Sequence, residues 1–113
     1  MAFDPDLADR METALRGLGA DPVRKPMFGG IAFMIEGHMA FGTLRDEIHV
    51  RVGLDAYEET LAHPDAGPMD MTGRVMTGWV TIEGAADLSE AALSEWAEKA
   101  FAFVRTLPPK KQA

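Results

Sequence analysis

Between Arg24 and Val52 apolar and polar residues alternate with a period of two, in RKPMFGGIAFMIEGHMAFGTLRDEIHVRV. That spacing puts successive side chains on opposite faces of a strand. Ile31, Phe33 and Ile35 alternate with Ala32, Met34 and Glu36, and Met39, Phe41 and Thr43 with Ala40, Gly42 and Leu44. Ile48, Val50 and Val52 alternate with Glu47, His49 and Arg51, the pattern of a half-buried strand. Glu36-Gly37 predicts a tight hairpin, because glycine reaches the positive φ such a turn needs. Arg45-Asp46 predicts a second turn. Upstream, Val23 to Phe28 adds a strand that Pro26, lacking a backbone donor, places at an edge or a bulge.

Elsewhere the period lengthens to that of a helix. Asp4-Pro5 reads as a side-chain cap followed by proline at the first helical position. Leu7, Met11, Ala14, Leu15 and Leu18 then recur at three- and four-residue spacing until Gly17 and Gly19 supply a stop. Leu54, Tyr57 and Leu61 predict a second, short helix over 54–62, ended by Pro64. HPDAGP reads as a loop, and strands are predicted over Met69 to Thr72 and Val75 to Glu83, hinged at Gly73-Arg74. In the longer one Met76, Gly78, Val80 and Ile82 share a face, opposite Thr77, Trp79 and Thr81. Asp87-x-x-Glu90 has capping-box spacing. A long apolar stripe follows, from Leu93 through Trp96, Ala97, Ala100, Phe103 and Val104 to Leu107, closed by Pro108-Pro109. Hairpin-joined strands are antiparallel. The reading is therefore an α+β, two-layer fold of order α-β-β-β-β-α-β-β-α, with helices packed on an antiparallel sheet.

Composition narrows the picture. The 113 residues show no break, giving one domain over residues 1–107 and a flexible, proline-led tail over 108–113. A chain of this length buries roughly 65% of its extended surface. Cysteine is absent, which removes disulfides, thiolate metal sites and cysteine nucleophiles and fits a reducing, cytoplasmic setting. No apolar run reaches the ~18 residues of a membrane helix. The net charge of −7 disfavours nucleic acid, whose binding draws on Lys and Arg. Only Arg24, Lys25, Arg45 and Arg51 make the strand region slightly basic.

Met27-Phe28-Gly29-Gly30, the Gly37 hairpin and the following MAFG resemble the N-terminal domain of the TfoX (Sxy) family of competence regulators. The resemblance continues through EIHVRVG, PMDMTGRVMTGWVTI and SEWAEKAFAF and covers residues 22–107. It implies a two-layer fold akin to that of secretion chaperones and a role in regulating competence or transcription. TfoX proper carries a second, helical domain, and the resemblance concerns the first alone. It supplies no catalytic residues.

Each candidate site has a plain alternative. Gly29-Gly30 beside Arg24 and Lys25 has the makings of an anion cradle. It matches no P-loop, so the pair reads first as a point where two backbones pass closely. His38, His49 and His63 lack metal-ligand spacing and read as surface histidines. His49 and Arg51 share a strand face that would suit an anionic ligand. Trp79, if outward among threonines and near Met34 and Arg51, would mark a contact surface, with Phe101 on the flank of the last helix as a second candidate. No carboxylate pair, nucleophile elbow or cofactor fingerprint is present, so no cofactor or metal is expected. The leading expectation is a non-enzymatic module that forms a homodimer or meets a protein partner, through Arg24, Lys25, Met34, His49, Arg51, Trp79 and Phe101. Nucleic-acid binding through the basic patch and a small-ligand enzyme built on His49 are the competing readings.

Overall fold

The computed structural model describes residues 3–27, 29–71 and 73–108. Helix α1 (Pro5–Gly17) is followed by strands β1 (Val23–Met27), β2 (Gly30–Ile35), β3 (His38–Leu44) and β4 (Glu47–Arg51). Helix α2 (Tyr57–Leu61), strands β5 (Ala66–Met71) and β6 (Arg74–Glu83) and helix α3 (Glu90–Val104) complete the order. The sheet is antiparallel throughout, in spatial order β1-β2-β3-β4-β6-β5. The element order and the two-layer α+β class are those the periodicity predicts. Phe28 of the MFGG motif, Thr72 and tail residues 109–113 lie outside the described residues.

Local chemistry explains most boundaries. The Asp4 carboxylate accepts from the amides of Asp6 and Leu7 at 2.9 and 3.4 Å, capping α1. Glu36 and Gly37 both take positive φ, 54° and 83°, which is the hairpin geometry whose twist suits the strands it joins. Pro26 sits in edge strand β1, where a missing donor is tolerated. Four sequence expectations shift. The cap of α3 is Ser89, whose Oγ accepts from the Ala92 amide at 3.1 Å, because Asp87 is held in a 3-10 turn over Ala85–Asp87. Helix α2 starts at Tyr57, since residues 54–57 close as a turn through Leu54 O. Strand β5 begins at Ala66, three residues earlier than expected; it is the other sheet edge, so Pro68 fits there too. The last helix stops at Val104, short of Leu107.

All three helices cover one face of the sheet. Leu7, Met11 and Leu15 of α1, Tyr57 of α2 and Leu93, Trp96, Ala97, Ala100 and Val104 of α3 join one core with Phe33, Phe41, Ile48, Val50, Val80 and Ile82. Full burial of one such Leu, Ile, Val or Phe side chain stabilises by about 1.5–3 kcal/mol, so this layer carries the fold. Arg10 ties α1 to the start of α3, donating from Nε to Glu90 at 2.6 Å and from Nη1 to the Ala86 carbonyl at 3.1 Å. Among the described residues no helix is long and apolar enough to cross a membrane.

Two irregularities shape the opposite face. Phe33 pairs with Phe41 but Met34 with Met39, leaving Ala40 as an extra residue. Ala40 and Phe41 both enter the helix-side core, and Met39 is turned to the other face. In the β5–β6 ribbon, Pro68 pairs with Val80 and Asp70 with Val75, so Met69 alone spans Met76 through Trp79. Gly78, at φ 93°, lies in this looser stretch, and its carbonyl accepts from both Val52 and Gly53. The ribbon bends there.

Candidate functional site

The face without helices is small-residued at its centre. Register places Ala32, Gly42, His49 and Thr81 side by side across β2, β3, β4 and β6. Ala32 and Gly42 leave a depression where Phe33 and Phe41 fill the other side. Arg74, Val75 and Met76 of the ribbon and Met27 of β1 border, with this floor, a half-open hollow of about 450 Å³. Its walls include Met27, Met39, Met69, Met76 and Trp79, with Thr43 and His49 as its buried polar residues. Trp79 and Met69 are buried yet stand outside the helix-side core.

Trp79 is 8% exposed. It lies on the face predicted for it, but as the wall of a hollow rather than as a protruding ring, because the ribbon and Arg51 cover it. The Arg51 guanidinium sits 5.9 Å from the Trp79 ring and 5.3 Å from that of Phe103, and donates to the Met39 carbonyl at 3.2 Å. Such stacking is worth about 0.5–1 kcal/mol at partly exposed sites.

His49 departs furthest from expectation. It is not a surface histidine: it is 5% exposed, set between the hollow and a second depression that it lines with Glu47, Thr81 and Ala66, Gly67 and Pro68 of β5. Nδ1 lies 3.2 Å from the Thr81 hydroxyl, and Nε2 has no hydrogen-bond partner. The nearest Glu47 carboxylate oxygen is 3.6 Å from Nε2, beyond hydrogen-bond reach. Burial, and secondarily the charge of Arg45, hold its pKa below the usual histidine value, so the imidazole is neutral at pH 7.

The remaining predicted residues divide between the two faces. Lys25 and Met34 register with the open face, Lys25 opposite Ala32 and Met34 opposite Met39. Arg24 points the other way: it lies 5.5 Å over the Phe33 ring and donates to Glu12 at 2.6 Å and to Asp9 at 2.7 Å. These contacts lower the Glu12 pKa and raise that of Arg24. Phe101 is half-buried against the helix-side core beneath Arg105. Arg24 and Phe101 therefore do not join Trp79 on one surface. Gly30 has a packing role, since a Cβ built on it would lie 2.1 Å from the Thr43 carbonyl oxygen. Gly29 turns with φ 83°. His38 Nε2 lies 2.7 Å from the Pro108 carbonyl, and His63 packs edge-on against Trp96, so the three histidines do not converge. Among the described residues no group of three or more His, Asp or Glu could hold a metal ion.

The family model for the TfoX N-terminal domain matches residues 14–104. The chain belongs to the TfoX N-terminal domain family. The match runs from the second half of α1 to the end of α3, so it takes in the whole sheet and the hollow of this TfoX N-terminal domain. No curated protein and no solved structure matches the chain. Sequence reasoning missed Met27, Met39, Met69 and Met76 as a group. Two bulges bring them together, and alternation alone puts Met39 and Met76 on the helix side.

Proposed function

We propose that this TfoX N-terminal domain is a non-enzymatic regulatory module that acts by protein contact through the tip of the β5–β6 ribbon, first with a second copy of itself. The observation that supports this reading is apolar exposure at that tip: Val75 is 57% and Met76 41% exposed, side by side at the mouth of the hollow. Exposed apolar side chains grouped in this way mark contact surfaces. A two-fold partner offers the same tip to the same tip, which is the self-complementary arrangement of a symmetric dimer. Family membership supports tying the contact to the regulation of competence or transcription. Nucleic acid fits less well, because Arg24 is engaged by Asp9 and Glu12 and Arg51 by two aromatic rings.

Analytical ultracentrifugation over a range of concentrations tests the reading. Wild type should show reversible self-association, and Val75→Glu combined with Met76→Glu should weaken it without lowering thermal stability. A protein that sediments as a monomer at every concentration would remove the reading in this form.

A further inference from the structure

The hollow differs in charge from the rest of the molecule. The chain carries 18 Asp and Glu against 11 Lys and Arg, yet no carboxylate side chain lines the hollow among the described residues, and Arg74 is its one Lys or Arg. Arg10, Arg16 and Arg24 are held in ion pairs, and Arg51 and Arg105 lie over aromatic rings. Arg74 has neither kind of partner among the described residues. It is exposed at the ribbon tip, where the aliphatic stem of an arginine can border apolar space while its guanidinium stays in water.

The interior is apolar and its buried polar groups are turned elsewhere. Thr43 Oγ1 donates to the Glu47 carbonyl at 2.8 Å. His49 turns Nδ1 to Thr81 and Nε2 toward Glu47, which lines the second depression and not the hollow. The volume of about 450 Å³ falls within the range of about 300–1,000 Å³ typical of ligand sites, which are mostly apolar with a few placed polar groups. Ala32 and Gly42 keep the floor low. A Cβ on Gly42 would stand 3.2 Å from the Met39 methyl carbon and 3.3 Å from the Ile31 carbonyl oxygen. Methionine walls are polarisable and adaptable, and they make favourable contacts with aromatic rings.

An occupant that suits both parts has an apolar body for the interior and a negative charge for the mouth. A carboxylate matches the planar guanidinium with its two oxygens. A cation would meet Arg74 with like charge, and a neutral molecule would leave it unused.

We propose that the hollow binds a small carboxylic acid in its ionised form, with its apolar or aromatic body against the methionines and Trp79 and its carboxylate at Arg74.

Methionine-methyl NMR titration at pH 7 tests this with three probes that share one body and differ in charge: 3-phenylpropionate, 3-phenylpropanamide and 3-phenylpropylammonium. The carboxylate should shift the methyl signals of Met39, Met69 and Met76 and the Trp79 indole signal in a saturable way. The amide should bind the same place about three- to tenfold more weakly, the value of one partly solvated charge contact, and the ammonium more weakly still. Added salt should narrow the gap. Arg74→Gln, at an exposed position that leaves the fold intact, should bring the carboxylate down to the amide while the amide binds as before. Lys25→Gln removes the same charge from a residue that lines a different depression, and it should keep the preference. No saturable shift, equal affinities for carboxylate and amide, tightest binding by the ammonium, or equal responses to the two substitutions would each overturn the proposal. So would methionine signals that move with protein concentration alone and then no longer respond to probe, because a second copy would then fill the hollow. Probe binding by a protein that stays monomeric removes only the dimer, and a dimer whose hollow takes up no probe removes only this site.

Discussion

Phe33 and Phe41 on one side of the sheet have Ala32 and Gly42 as chain neighbours on the other. The helix-covered face is filled by large residues that are fully buried, and three helices supply the opposing surface. The other face has small residues at its centre, methionines and an indole around them, and only a bent two-stranded ribbon for a cover. One face is packed to hold the fold, and the other is built around space. The difference teaches where to look for function: the closed face is filled by its own helices, whereas the other face leaves a hollow of about 450 Å³.

The comparison can be broken by mutation. Phe41→Ala should be the most damaging change, costing about 3–5 kcal/mol in chemical denaturation, because it leaves a void between sheet and helices. A loss below about 1 kcal/mol would mean that this layer does not carry the stability. Gly30→Val should cost about 1–3 kcal/mol, since its side chain would run into the Thr43 carbonyl and push β2 from β3. Trp79→Ala should cost about 2 kcal/mol, less than Phe41→Ala, because one side of the indole borders space and loses fewer contacts. Equal losses for Trp79 and Phe41 would erase the distinction between the faces.

Two smaller effects sharpen it. The pKa of His49 is depressed by burial first and by Arg45 second, so between its folded value and the unfolded value near ~6.5 the unfolded chain holds more protons. The stability contributed by keeping His49 neutral is therefore present above about pH 6.5 and lost as pH falls below it. Urea denaturation at stepped pH should show this slope in wild type and not in His49→Gln. Arg24→Ala should cost only about 0.2–1 kcal/mol, because its pairs with Asp9 and Glu12 are partly solvated.

Periodicity alone is enough to establish the helices and strands of the described residues and their order, because a strand's period of two and a helix's period of 3.6 are local properties of the chain. Glu36-Gly37, Asp4-Pro5 and Pro26 mark a hairpin, a cap and an edge for equally local reasons. Which face each side chain finally meets is not local. The extra residue at Ala40 and the loose stretch from Met76 to Trp79 change the phase of alternation and send Met39 and Met76 to the hollow. Burial of His49 depends on a ribbon some twenty residues further along the chain, and the engagement of Arg24 on a helix that precedes it. A sequence window records what a residue is and how it repeats; only the assembled sheet determines what comes to lie above it.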